Sequence, residues 1–175
     1  MKDIKDYLHL YGIGFEVVFD NKTWKISAFR KELVELERNK DGGSLNPFGS
    51  IVRNQAYYSE LIVPLRPLSD MTEDELVAIA TMCYEKIFND EPHFYKKELV
   101  PNGSYIGLKW EEREFRYGLS VNNDGVVFLV NGDFMSIPIF EIVVYLLSKG
   151  FDLFELIKEG LAIDKTTLKP KKQTS

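Results

Sequence analysis

The chain has 175 residues, 45% hydrophobic and 13% aromatic, enough for one sizeable core without help from metals or disulfides. Its formal charge is −5 and its one cysteine, Cys83, has no partner for an internal bridge, so neither a disulfide scaffold nor an oxidising compartment is called for. An acidic chain repels a phosphate backbone, so nucleic acid is not the expected partner, and no apolar run reaches transmembrane length.

The opening MKDIKDYLHLYG threads charges through a short apolar run with no cleavage-like pattern, so no signal peptide and a cytoplasmic location are expected. Ile4, Tyr7, Leu8 and Tyr11 recur at helical spacing, with Asp3 as N-cap and Gly12 as stop. FEVVF and KTWKIS, separated by Asp20-Asn21, form a tight hairpin. AFRKELVELERNK sets Phe29, Leu33 and Leu36 on one side and predicts a short surface helix. From Asp41 to Glu60 no period is sustained, and a long connection is expected whose Phe48, Tyr57 and Tyr58 offer a binding surface or tuck onto the core.

Pro64 and Pro67 make the next piece an edge strand or a connecting rod. Thr72 and Glu75 then form a capping box, Met71 and Leu76 a hydrophobic staple, and Leu76, Ile79, Ala80, Cys83 and Ile87 the apolar stripe of a helix. Within that stripe Cys83 reads as a buried, inert thiol. Three strands follow as a meander: YIGLKW, then a turn at Glu111-Glu112, REFRYGLSV with Phe115, Tyr117, Leu119 and Val121 on one face, the NNDG turn, and VVFLV. SIPIFEIVVYLLSKG is apolar almost all round and is expected to be the central helix against the sheet, with Pro138 in its first turn. After Gly150, Asp152 and Glu155 stand at cap and third position of a second packed helix.

These elements predict an α+β fold: an antiparallel sheet, made of the N-terminal hairpin and the three-stranded meander, covered by helices mainly on one face. One compact domain is expected over 1–164, followed by a basic, flexible C-terminal tail over 165–175. Lys109, Glu111, Arg113 and Arg116 gather as a polar patch on or near the exposed face of the meander, and Lys109, Arg113 and Arg116 join Phe48, Tyr57 and Tyr58 as the candidate binding surface.

A search for reactive constellations finds no glycine-flanked serine elbow, no paired cysteines, no HExxH and no dinucleotide fingerprint. Asp90, Glu91, His93, Glu111 and Glu112 are the weak metal candidates, and Glu111, Glu112 and Asp90 the carboxylates that a hydrolase would use. Capping, turn formation and solubility each explain these acids, so no catalytic residue, metal or cofactor is assigned. The expected function is a non-catalytic protein-interaction or accessory protein with a protein partner. The alternative is a nucleic-acid-binding or metal-dependent carboxylate-based hydrolytic protein.

LRPLSDMTEDEL, Leu65 to Leu76, and KGFDLFELIKEGLAIDKTTL, Lys149 to Leu168, resemble segments of small uncharacterised proteins of Bacteroidota phages, prophages and related mobile elements. The resemblance implies a mobile-element context and carries over no catalytic residue.

Overall fold

The computed structural model describes residues 3–39, 51–102, 105–122 and 125–168. Among the described residues it is a mixed α+β structure with antiparallel sheets and three α-helices, and the chain divides into two compact units, residues 1–66 with 147–175 and residues 67–146.

In the first unit, α1 (Lys5–Tyr11) buries Leu8 and Tyr11; its N-cap is Ile4 rather than the expected Asp3, whose carboxylate nevertheless accepts the Lys5 amide from one residue further out. Gly12 stops the helix at φ 87°, a conformation that a side chain would strain. β1 (Glu16–Phe19) and β2 (Lys22–Phe29) form the expected hairpin, with Asp20 and Asn21 both at positive φ as a two-residue turn of this hand requires.

The predicted surface helix is instead β3 (Leu33–Asn39), and part of the predicted connection is β4 (Ile51–Tyr57); together β1-β2-β3-β4 make a four-stranded antiparallel sheet. The local sequence LVELER satisfies two periods at once. Alternation buries Val34 and Leu36 completely and turns Glu35 and Glu37 away, and pairing on both sides of β3 selects it.

β5 (Pro64–Leu65) runs parallel to β11 (Ile163–Asp164), so the proline-framed rod is tied into a minimal ladder. The predicted helix after Gly150 is a series of turns, with Glu155 at φ 57°. Asp152 does cap, its carboxylate accepting the amides of Phe154, Leu156 and Ile157. Lys165–Thr167 forms one helical turn capped by Asp164, and residues 169–175 of the predicted tail lie outside the described residues.

The second unit opens with α2 (Glu73–Phe88), whose capping box is formed in full: Thr72 Oγ1 accepts the Glu75 amide at 3.3 Å and Glu75 accepts the Thr72 amide at 2.9 Å. Leu76, Ile79, Ala80 and Cys83 are wholly buried, as the stripe predicts. A five-stranded antiparallel sheet follows: β6 (Tyr95–Asn102), β7 (Tyr105–Glu112), β8 (Phe115–Asn122), β9 (Gly125–Val130) and β10 (Asp133–Phe134), in the order β10-β9-β8-β7-β6. The meander is therefore larger than its three predicted strands.

Its first turn is also displaced. Glu112 pairs with Phe115, so the chain reverses at Arg113-Glu114, with Arg113 at φ 56°, and Glu112 belongs to the strand. α3 (Ile139–Ser148) starts one residue after Pro138 and buries Ile142 and Leu146. The expectation of a fully central helix is corrected by its other face, where Ile139, Phe140 and Val144 are 51%, 75% and 49% exposed. A helix that is apolar all round can bury one stripe and still leave another in water.

Candidate functional site

The predicted site residues divide between the two units. In the first, Tyr57 is exposed at the end of β4, whereas Tyr58 is buried and donates its hydroxyl proton to the Arg30 carbonyl at 2.9 Å. Burial chiefly, and then the charge of Glu32, raise the Tyr58 pKa. Tyr58 is thus a packing residue, and Phe48 lies outside the described residues.

In the second unit Lys109, Arg113 and Arg116 are all exposed. Arg116 faces Glu111 across β7 and β8 with a 3.8 Å charge contact, Lys109 is opposite Gly118, and Arg113 occupies the turn. Asp90 and Glu91 are exposed, the Asp90 carboxylate accepting the Glu91 amide, and His93 is exposed as well. Glu111 and Glu112 are neighbours on one strand and point to opposite faces of the sheet. Among the described residues no group of three or more His, Cys, Asp or Glu side chains lies close enough together to hold a metal ion.

Glu112 is the residue that sequence reading misplaced. On β7 it continues the inward series Leu108, Trp110, Glu112 and is only 5% exposed. Around it an aromatic cluster closes: Trp110 stacks on Tyr117 with centroids 5.0 Å apart, and Tyr84 of α2 lies 5.5 Å from Tyr117. The Tyr84 hydroxyl sits in the field of the Glu112 carboxylate and of Tyr117. Burial first, and these neighbours after it, hold its pKa well above the usual tyrosine value. The parity of Leu108 and Trp110 was the available signal, since a strand two residues longer puts Glu112 inside.

Two surface features complete the inventory. α3 carries Phe140 and Val144 one turn apart on its solvent side beside Ile139, and Phe134 in β10 is 80% exposed. In the first unit a shallow cleft of about 230 Å³ is lined by Phe15, Glu16, Pro64, Ser148, Lys149 and Lys165, together with Gly14 and Gly150. Its charges are of both signs and select no ligand class. No helix among the described residues is long and apolar enough to cross a membrane.

No family model, curated protein or solved structure matches the chain.

Proposed function

We propose that this protein is a non-catalytic protein-interaction or accessory protein that docks a protein partner through the solvent face of α3. The carrying observation is the exposure of Phe140 and Val144 on consecutive turns of one helix face, flanked by Ile139. Exposed single apolar residues are ordinary, but large ones adjacent on a helix are costly to leave in water and mark a surface that is covered in use. The mobile-element context suggested by Leu65–Leu76 and Lys149–Leu168 belongs to this same proposal, as an accessory role in a phage or prophage. Metal-dependent hydrolysis finds less support, because the carboxylates and histidine it would use are dispersed.

The test is affinity capture from a bacterial extract with the intact protein and with Phe140→Ser/Val144→Ser. Both positions are exposed, so the variant retains the wild-type far-ultraviolet circular dichroism. A protein held reproducibly by the wild type and lost from the variant is the expected result. A partner held equally by both, or no partner at all, overturns this reading.

A further inference from the structure

The solvent face of α3 has an electrostatic setting as well as an apolar one. Glu141 is exposed three residues before Val144, on the neighbouring row of the helix surface, and Asp133 is exposed in β10 next to Phe134. From Tyr117 to Ser148 the sequence has three acids and no Lys, Arg or His. Five of the six Lys and Arg residues of the segment 67–146 fall instead on β6, β7, the turn after it and the first residues of β8, and the sheet order sets β6 at the edge opposite β10. Charge in the second unit is therefore polarised, and Phe134, Phe140 and Val144 belong to its base-free part.

This setting selects among occupants. A second copy of the chain fits poorly, because each second unit carries fourteen acidic against six basic residues and two such units repel. A wholly apolar segment would cover the face but leave Glu141 and Asp133 at its rim unanswered, whereas Lys or Arg at the flanks of an apolar stripe meets both charges. Phe140 and Val144 form an i, i+4 ridge, and the groove that receives such a ridge belongs to another helix. Phe134 and Phe140 are six residues apart, so at most about 22 Å of chain separates them, about the length of a 14-residue helix.

We propose that the occupant of the α3 face is a basic amphipathic helix of a partner protein, its apolar stripe covering Phe140 and Val144 and its flanking Lys and Arg residues facing Glu141 and Asp133. The inference rests on the reading of α3 as a docking face and adds the chemistry of what docks. The apolar stripe supplies the buried contact, and the charges at the rim set orientation and reject acidic helices of the same shape.

The test is fluorescence anisotropy of the intact protein against three labelled peptides of about 14 residues. One is an amphipathic helix with a Leu stripe flanked by Lys, the second has the same stripe flanked by Glu, and the third is a scramble of the first that has no stripe. The Lys-flanked helix is expected to bind about tenfold tighter than either of the others, and to weaken between ~50 mM and ~200 mM salt. Binding should be lost in Phe140→Ser/Val144→Ser and weakened about tenfold in Asp133→Lys/Glu141→Lys. It should be unchanged in Glu91→Lys/Glu114→Lys, which makes the same change of charge elsewhere on the unit; all six positions are exposed, so the variants keep the fold. Equal binding of the Lys- and Glu-flanked peptides, equal binding of the scramble, equal weakening by both charge reversals, or no binding of the Lys-flanked helix overturns the basic helix as occupant. Affinity capture keeps the two readings apart: a captured partner that depends on Phe140 and Val144, found beside any of these failures, leaves the docking face standing with an occupant of other chemistry.

Discussion

A buried carboxylate shows how local bonding decides what an acid does in this fold. Asp152 is 6% exposed and is met by three backbone amides at 2.9–3.3 Å, so its charge is matched on the spot. Replacing it with Ala strands all three donors, and Asp152→Ala is expected to cost about 3 kcal/mol in urea unfolding. Asp152→Asn should cost less, since one oxygen still serves Phe154 and Leu156 while the new amide group meets the Ile157 N–H donor to donor.

Cys83, wholly buried in the stripe of α2, is governed by desolvation alone, which pushes its thiol from 9.0 up to about 12. The unfolded chain therefore loses this proton first as pH rises. The contribution of the protonated thiol is complete below pH 9.0 and is lost as pH climbs through about 12. Between about pH 8 and about pH 10 the wild type should lose about 1.4 kcal/mol more stability than Cys83→Ala, as read from paired urea titrations. An equal loss in both proteins would assign the alkaline instability to other groups, such as Tyr11, whose pKa burial also raises.

At the scale of elements, α2 and the first hairpin were legible because their signals are local. The Thr72–Glu75 box needs four consecutive residues and no knowledge of the rest of the fold. Thr72→Ala is expected to lower stability by about 1 kcal/mol, measurable as a shift in urea midpoint with unchanged slope. β3 was not legible, because Phe29, Leu33 and Leu36 fit a helix while Val34 and Leu36 fit a strand, and the choice is made by β2 and β4 on either side. The same limit hid Glu112: the extent of β7 is set by its pairing with β8, and one shift of the turn moves an acid from solvent to core. α3 failed in the opposite sense. Its apolar composition implied full burial, but composition does not say whether a second surface is available to cover the face that carries Phe140. The edge strand β4 adds a feature that no periodicity encodes. Its Gln55 and Tyr57 amides, unlike those directed at β3, are taken by the side chains of Asn54 and Glu60, which blunts that edge against a further strand.

Across the whole molecule, charge is divided as unevenly as the chain. The segment 67–146 that makes up the second unit holds fourteen acidic and six basic residues, whereas the residues of the first unit hold thirteen acidic and sixteen basic. The first unit's excess is small and is drawn from two distant stretches, which are joined by the Arg66 amide on the Gly150 carbonyl and the Asp152 amide on the Arg66 carbonyl. Its exposed lysines at 149 and 165 share their cleft with Glu16, so the positive charge there is partly offset at short range. A duplex binder must neutralise several phosphates together, and its affinity then falls steeply with salt. Here the strongly charged unit carries the wrong sign, and Lys109, Arg113 and Arg116 on its sheet are accompanied by Glu111 and Glu114. Gel-shift titrations with single- and double-stranded probes are therefore expected to show no sub-micromolar complex at ~50 mM salt and none at all at ~200 mM salt. Tight binding at the lower concentration that collapses at the higher would mean that the modest positive balance of the first unit outweighs the acidic second unit, and nucleic acid would replace a protein as the expected partner.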